Sequence, residues 1–369
     1  MRREQHYQPE TSGSALKLGL FAMNANSGAA MTRVPERWPA HWDEIRQVVE
    51  LADNAGLDFI LPLCRWRGYG GETNPTDESF ETFTFAAALA SITRQIKLFS
   101  TVHIPFVHPT LAARSATTID HISGGRFAIN LVCGWSQNEF EMFGIDEAAH
   151  ERRYEQGSEW VGVFERMMSE EPFGSHDGQF YSMKDAECRP LPIQRPRPPL
   201  MSAAFSPTGR NFAVQYCDTL LTMFSNLDRA ADQITDLKNR ASAVHRTIEV
   251  YTIVHVVCRA SDDEAKAYYQ HYAETMADNG AVENFARNMA PSAPMVARFL
   301  EQNRKSIAGG AGSAPVIGAP ETVARMIDEI AVAGFDGVAL AFVDYGREVP
   351  YFIEHVLPRL TTTPKPGNV

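Results

Sequence analysis

A series of polar residues stands directly after short apolar runs, and their types limit the chemistry that they could perform. They are Asn24, Cys64 with Arg65, Thr101 to His103, Asn130, Ser206, Ser225 and Asp344. These positions hold no pair of carboxylates of the kind that a glycosidase needs, and no cluster of His, Asp and Glu with the spacing of metal ligands. The sequence also lacks a serine nucleophile elbow, a P-loop and a dinucleotide-binding glycine motif. We therefore expect no metal site, and we expect a cofactor to supply the reactivity.

The elements that must position these residues follow a simple alternation. Short runs rich in β-branched or aromatic residues alternate with longer segments of helical period, which is typical of βα units. The predicted strands lie at residues 16–23, 57–63, 96–103, 126–132, 200–205, 219–224, 248–257 and 337–342. Because neither an internal repeat nor a linker divides them, we predict an α/β fold, a (β/α)8 TIM barrel with insertions. Such a barrel carries its active site at the carboxyl ends of the strands.

The predicted domain covers residues 16–362 as one unit, between a flexible tail at 1–15 and a second tail at 363–369. Residues 170–199 are dense in Pro and Gly, which indicates an insertion outside the core. Residues 275–316 break the alternation and include the small-residue tract SIAGGAGSAPV. Such a tract buries little apolar surface, so we expect a loop here that closes as a mobile lid.

Composition excludes several classes of partner. The 34 Lys and Arg residues against 45 Asp and Glu residues give a formal charge of −11, which argues against a nucleic-acid partner. No run reaches the roughly 18 apolar residues of a membrane span, and we see no export signal. The five cysteines are scattered without a CxxC pair, which favours a reducing compartment. We expect a cytoplasmic protein without a membrane partner.

One long stretch of sequence carries a family resemblance. TIDHISGGRFAINLVCGWSQNEFEMFG at 118–144, followed by ERRYEQGSEW at 151–160, resembles the bacterial luciferase-like flavin-dependent monooxygenases. Unrelated barrels have no reason to share the turn, the Asn, the Gly-Trp and the Arg-Tyr in this order. Supporting similarities are LCRWRGYGG at 63–71, PPLMSAAFSPTGR at 198–210 and IGAPETVARMIDE at 317–329. Within the superfamily the sequence is most similar to the pyrimidine monooxygenases, with dimethylsulfone and alkanesulfonate monooxygenases as relatives.

The resemblance implies a cofactor, a co-substrate and partners. The cofactor is FMN, used as FMNH2, and O2 is the co-substrate. NAD(P)H acts only through a separate flavin reductase, so the system has two components. A flavin N5- or C4a-peroxide would oxidise and cleave a small substrate, a pyrimidine-like N-heterocycle amide. The family resemblance also suggests a homodimer or homotetramer.

The resemblance also assigns residues that contact the flavin. By their position in the matched stretches these are Leu63, Cys64, Asn130, Glu139, Arg153, Tyr154 and Ser206. Physical arguments support part of this set. Ser206 precedes a predicted helix start whose N–H groups and dipole suit a phosphate, and Gly209 permits close approach. Arg153 and Tyr154 can add a guanidinium and a phenol to the same anion.

The resemblance places an oxygen pocket at Thr101 and Asn130, whose neutral hydrogen-bonding groups suit a dry site. The following segment, HIPFVHP at 103–109, departs from the pyrimidine enzymes, which have an apolar and Thr-rich segment there. His103 could donate a proton to a leaving group, although a His in such a loop is often only bonded to backbone. Residues that could bind a substrate, or equally could be solvated or packed, are Arg65, Trp66 and Trp135.

Other functions stay open at this point. The same flavin chemistry could cleave the C–S bond of a sulfone or sulfonate, or a C–halogen bond, and the divergent HIPFVHP segment and the Arg-bearing loop favour this alternative. A deazaflavin-dependent oxidoreductase of the same superfamily is another. A non-catalytic flavin-binding protein is an alternative of a different class, and it would bind oxidised FMN without turnover.

Overall fold

The computed structural model describes residues 15–145, 152–289 and 293–362. Both predicted tails lie outside the described residues, apart from Ala15. Parallel strands alternate with helices in the arrangement of a (β/α)8 barrel, which confirms the predicted fold.

The strands of the barrel coincide with the apolar runs of the sequence. They are β1 (Lys17–Phe21), β2 (Phe59–Leu61), β3 (Lys97–His103), β4 (Phe127–Val132), β7 (Leu200–Ala203), β8 (Thr219–Thr222), β9 (Glu249–Cys258) and β11 (Gly337–Ala341). Two further strands, β5 (His176–Asp177) and β6 (Ser182–Met183), form a small antiparallel hairpin. The tenth strand, β10 (Ala314–Gly318), runs parallel to the second half of β9.

Helices follow most of the strands. They are α1 (Trp42–Asn54), α2 (Thr82–Ile92), α3 (Pro109–Ser123), α4 (Gln137–Met142), α5 (Arg153–Met167), α6 (Pro207–Tyr216), α7 (Leu227–Ala243), α8 (Asp262–Gln270), α9 (Asn279–Met289), α10 (Ala293–Gly310), α11 (Pro320–Val332) and α12 (Tyr345–His355). A π-helical turn at His271–Thr275 continues α8, and a 3-10 turn lies at Leu357–Arg359. Sequence signals set several of the ends: α3 begins at Pro109 and ends at Gly124, which adopts the left-handed conformation with φ of 66°.

The residues group into two compact units. The first consists of residues 81–222 and 233–250, and its parallel strands are ordered β3, β4, β7 and β8. The second consists of the described residues of 15–80, 223–232 and 251–369, and its strands are ordered β10, β9, β11, β1 and β2.

In the second unit, two aromatic rings fill space that neighbouring glycines leave. The buried rings of Phe59 and Tyr251 lie with centroids 5.3 Å apart. A Cβ atom at Gly19 would lie 2.3 Å from Phe59, and one at Gly337 would lie 2.8 Å from the Tyr251 ring. Larger residues at these two strand positions would displace the rings, so the glycines are required by packing.

The turn between α3 and β4 shows which part of the matched sequence is structural. The Arg126 guanidinium donates to the backbone oxygens of Ser123 at 2.8 Å and Ile96 at 2.7 Å, and to Thr93 Oγ1 at 2.9 Å. It also donates to the carbonyl of Ala90 at the end of α2. The Arg of the SGGR motif therefore fixes the end of α2 to the strand that carries Asn130. Arg126 directly precedes β4, so it lies away from the carboxyl ends of the strands, where the active site of a barrel is expected.

The insertion at 170–199 is held to the first unit by a carboxylate. Glu159 of α5 accepts hydrogen bonds from the backbone N–H groups of Gln179, Phe180 and Tyr181 at 2.9 to 3.0 Å, and His176 Nε2 lies 3.0 Å from it. These contacts hold the β5–β6 hairpin. Apart from this hairpin, the insertion contains no strand or helix within the described chain.

The sequence predicts a loop at 275–316. This prediction was wrong for the described part of the segment, which contains α9, α10 and β10. The small residues serve close packing. A Cβ atom at Gly310 would lie 2.6 Å from the His255 ring, and one at Gly309 would lie 2.8 Å from Tyr269. The tract lacks side-chain volume because the end of α10 lies directly against these buried rings. Closure of this segment as a lid stays a prediction.

Candidate functional site

In the first unit, Thr101 and Asn130 lie opposite each other near the carboxyl ends of β3 and β4. Asn130 Nδ2 donates to Thr101 Oγ1 at 3.1 Å, and both side chains are buried. Asn130 Oδ1 is also buried, and it has no hydrogen-bond partner among the described residues. A buried amide oxygen without a partner costs roughly 1–3 kcal/mol, so it indicates a position at which a ligand or water completes the bonding.

A histidine and a carboxylate form a second buried pair in this unit. His103 is the last residue of β3, and Glu139 lies in the first turn of the short helix α4. His103 Nδ1 lies 3.5 Å from Glu139 Oε2, and the two side chains are only 3% and 1% exposed. A carboxylate beside this nitrogen can orient the imidazole ring, because it favours the Nδ1–H group on the side that faces it.

A cluster of aromatic rings begins beside the histidine. His103 packs edge-on to Phe106 with centroids 5.3 Å apart, and Phe106 stacks on Phe143 at 4.2 Å. Phe140 of α4 contacts Phe106 at 5.4 Å. The segment HIPFVHP therefore builds an aromatic surface beside His103, which the sequence pattern alone did not predict.

The start of α6 is capped by a serine and lies beside a tyrosine and an arginine. Ser206 caps this helix by accepting the N–H of Gly209 at 3.1 Å, and the Tyr154 hydroxyl lies 3.3 Å from Ser206 Oγ. A Cβ atom at Gly209 would lie 2.6 Å from Tyr154 Oη and 2.9 Å from Ala204 Cβ. Arg153 lies with its guanidinium 5.2 Å from the Tyr154 ring. The structure thus brings together Tyr154 and Ser206 at a helix N-terminus, with Arg153 beside the Tyr154 ring. Their role in binding a phosphate stays a prediction.

Two neighbours of these residues have other roles. Burial raises the pKa of the Cys133 thiol to about 12, against a lowering effect of Arg153, so this thiol stays protonated and unreactive. Gly134 adopts φ of 99°, and a Cβ atom there would lie 2.4 Å from the Phe140 ring. The Gly of the Gly-Trp motif is therefore a structural requirement. The adjacent Trp135 is half-buried.

In the second unit, Leu63 and Cys64 follow β2, and a buried asparagine fixes them. Asn24 Oδ1 accepts the Leu63 N–H at 3.0 Å, and Asn24 Nδ2 donates to the Leu63 carbonyl at 2.8 Å. Asn24 is fully buried and follows β1. The position of Asn24 after a predicted strand is visible in the sequence, whereas its contact with Leu63 is seen only in the structure. Cys64 is half-buried.

Arg65 and Trp66 follow in the same loop. The Arg65 guanidinium lies 4.7 Å from the centroid of the Tyr69 ring, and it donates to the Arg67 carbonyl at 3.0 Å. Arg65 is buried, whereas Trp66 is half-buried. The solvated alternative for Arg65 therefore does not hold, because its side chain is packed within the loop.

Neither a metal-binding cluster nor a membrane-spanning helix is found in the described part of the chain. No group of three or more His, Cys, Asp or Glu residues there is arranged to hold a metal ion. No helix there has the length and apolar composition needed to cross a membrane.

The described residues thus form a parallel barrel with neutral hydrogen-bonding groups at two strand ends and a serine-capped helix start beside Tyr154. Residues 16–337 match the family model described as luciferase-like monooxygenase. The chain belongs to the luciferase-like monooxygenase family, which confirms the resemblance seen in its sequence.

Curated relatives align with nearly the whole chain. The pyrimidine monooxygenase RutA of Bradyrhizobium sp. strain BTAi1 is 30% identical over 363 residues, covering 94% of this chain and 98% of the relative. The pyrimidine monooxygenase RutA of Acinetobacter baylyi is also 30% identical, covering 94% of this chain and 95% of the relative.

Solved structures show the same fold at lower identity. A riboflavin lyase with modified FMN and its substrate riboflavin superposes with a TM-score of 0.84 at 22% identity, covering 96% of this chain and 94% of the other. DmoA from Hyphomicrobium sulfonivorans superposes with a TM-score of 0.82 at 21% identity, covering 96% and 91%.

Proposed function

We propose that the protein is the oxygenase of a two-component system, which uses reduced FMN and O2 to oxidise and cleave a small pyrimidine-like N-heterocyclic amide. The observation that carries this proposal is the buried Thr101–Asn130 pair with its unpartnered amide oxygen, on a barrel of the luciferase-like monooxygenase family. The substrate class is supported by the relatives named pyrimidine monooxygenase, which align with 94% of the chain.

The start of α6 fits the phosphate of FMN. The space beside Gly209 would be filled by any Cβ atom, and Ser206 and Tyr154 offer hydroxyl groups at the same helix start. Arg153 adds a positive charge, which binds an anionic phosphate monoester more strongly than a neutral ligand. We propose that these four residues hold the phosphate, and that Leu63 and Cys64 contact the flavin ring.

Reduced FMN, when bound, supplies the electrons that activate O2. The role of Thr101 and Asn130 is to hold an oxygen species in a dry site through neutral groups. The hydrogen bond from Asn130 Nδ2 to Thr101 Oγ1 fixes the two side chains relative to each other, and it leaves the buried Asn130 Oδ1 as an acceptor without a partner among the described residues. A carboxylate in the same place would repel a developing negative charge.

We propose that His103 is the proton donor to the leaving nitrogen of the substrate. Glu139 was predicted from the resemblance as a flavin contact, and its contact with His103 Nδ1 supports a second role, namely orientation of the imidazole. An imidazole that is held in one orientation can present its other nitrogen, Nε2, to the substrate, as a general acid must.

A second candidate substrate class is a sulfone or sulfonate, cleaved at its C–S bond by the same cofactor. The aromatic surface formed by Phe106, Phe140 and Phe143 beside His103 favours this candidate, because it offers few polar partners for the carbonyl groups of a pyrimidine. Arg65 would then meet the charge of a sulfonate.

The test combines the purified protein with a flavin reductase, NADH, FMN and two panels of compounds. Consumption of a pyrimidine with opening of its ring, dependent on O2, supports the first proposal. Release of sulfite or sulfinate from the organosulfur panel would replace it with the second. If FMN binds more tightly oxidised than reduced, measured anaerobically, and neither panel is consumed, then the protein is a flavin-binding protein without oxygenase activity.

A further inference from the structure

The glycine-rich loop at 67–74, here called the mouth loop, lies against the start of α9 within the second unit. Asp278 immediately precedes α9 and is buried. Its Oδ2 atom accepts from the Thr73 N–H at 2.7 Å and from the Thr73 hydroxyl at 2.8 Å. Its Oδ1 atom accepts from the Ala281 N–H at 3.1 Å, which is an ordinary helix N-cap. One carboxylate therefore caps α9 and anchors the mouth loop.

Two glycines make this contact possible. Gly71 adopts φ of 78°, and a Cβ atom there would lie 2.2 Å from Asp278 Oδ1 and 2.6 Å from the Ala281 backbone nitrogen. A Cβ atom at Gly280 would lie 3.0 Å from the Gly71 Cα atom. The two backbones are in direct contact, so any side chain at either glycine would separate the loop from the helix.

A second pair of contacts continues from α9 toward Arg65. Asn284 Nδ2 donates to the Tyr69 carbonyl at 2.8 Å, and the Phe285 ring meets the Tyr69 ring edge-on at 5.3 Å. The Arg65 guanidinium lies over the same Tyr69 ring, 4.7 Å from its centroid. The conformation of Arg65 thus depends on Tyr69, and that of Tyr69 depends on α9.

We propose that Asp278, through Thr73 and the mouth loop, is a positioning residue that orients Arg65 toward the carbonyl or sulfonyl oxygens of the substrate. This inference rests on the proposed function, because it takes Arg65 as a substrate contact. The helix α9, which lies in the segment predicted to be a loop, would then hold the mouth loop in place and so contribute to the choice of substrate. Asp278 itself touches neither substrate nor flavin in this scheme.

The loop contact can be tested without turnover. Thr73→Val removes the hydroxyl donor and leaves the cap of α9 intact, whereas Thr73→Ser retains the hydroxyl. We expect amide hydrogen exchange of the mouth loop in the flavin-free protein to be about tenfold faster in Thr73→Val, and unchanged in Thr73→Ser. Asp278→Asn should behave like Thr73→Val, because an Asn still caps the helix but presents a single acceptor oxygen. Glu72→Gln is the matched control, because the Glu72 side chain is exposed and pairs with Arg33 rather than with Asp278 or Thr73.

The functional part uses steady-state kinetics and a double-mutant cycle. We expect Thr73→Val to lower kcat/KM by about tenfold through a raised KM, with the affinity for FMN unchanged. Combined with Arg65→Gln, it should cause no further loss, because both changes act on the same contact.

Two results would overturn the inference. One is an additive loss in the double variant, which would mean that Thr73 acts without Arg65. The other is unchanged exchange of the mouth loop in both Thr73→Val and Asp278→Asn. If the exchange result is as expected but the wild-type protein oxidises neither panel of compounds, the proposed function fails while the structural coupling of α9 to the mouth loop stands.

Discussion

The proposed phosphate site makes a sharp prediction at Gly209. Replacing it with Ala adds one methyl group, whose carbon would lie 2.9 Å from Ala204 Cβ and 2.6 Å from Tyr154 Oη. Since carbon atoms are in favourable contact at about 3.5–4.0 Å, the start of α6 must shift by roughly 0.6 Å or more. Tyr154 must also rotate away from Ser206, from which it is only 3.3 Å distant.

The energetic cost follows from this geometry. Overpacking of this kind costs about 1–3 kcal/mol. If the strain is borne by the phosphate site, the Kd for FMN rises about 5-fold to 150-fold. The Kd for riboflavin, which has no phosphate, should change little. The assay is titration of both flavins, followed by fluorescence or by absorbance under anaerobic conditions for the reduced forms.

A matched control is available on α5 of the same unit. Gly162 is exposed, and a Cβ atom there would have no neighbour within 4 Å. Gly162→Ala should therefore leave FMN binding unchanged and stabilise the fold by up to about 1 kcal/mol. Equal losses of FMN and riboflavin in Gly209→Ala would refute the assignment of this helix start to the phosphate, and so would full retention of FMN affinity.

Three further predictions concern other parts of the molecule. Thr101→Val should lower the rate of substrate oxidation by about 100-fold with unchanged FMN affinity; an equal loss of flavin binding would contradict the oxygen-holding role. Glu159 has a pKa below its ordinary value of 4.5, because hydrogen bonds from His176 and the hairpin outweigh the opposing effect of burial. Its contribution to stability is present above that value and is lost as pH falls below it, so the difference in unfolding free energy between Glu159→Gln and wild type should shrink in acid. Finally, if α9 and α10 close as a lid, FMNH2 and substrate together should slow limited proteolysis of residues 279–310; an unchanged rate would show that these helices do not close.

The elements of the barrel could be predicted because their signals are local. Each strand is a short run of β-branched or aromatic residues, and each intervening helix has its own period and caps, such as Pro109 and Gly124 for α3. The order in which they alternate then leaves few topologies. The same holds for Ser206 with Gly209, since a helix start next to a glycine is visible in a single stretch of sequence.

Contacts between distant segments could not be predicted in this way. The tract around Gly309 and Gly310 resembles a loop in the sequence because small residues are common in loops. In the structure these glycines make room for the rings of His255 and Tyr269, which are distant in the chain. The contact of Glu139 with His103 likewise joins a helix to the end of a different strand.

The sequence by itself determined the fold class, the family and the residue types that stand at the strand ends, because periodicity and motif order are properties of neighbouring residues. Only the tertiary structure decided how these residues are used: that Arg126 secures a turn, that Asn24 fixes Leu63, and that Asp278 joins α9 to the mouth loop. Such roles depend on distances between atoms far apart in the chain. These distances are set by close packing, in which a missing Cβ atom at one position makes room for a carboxylate or a ring from another.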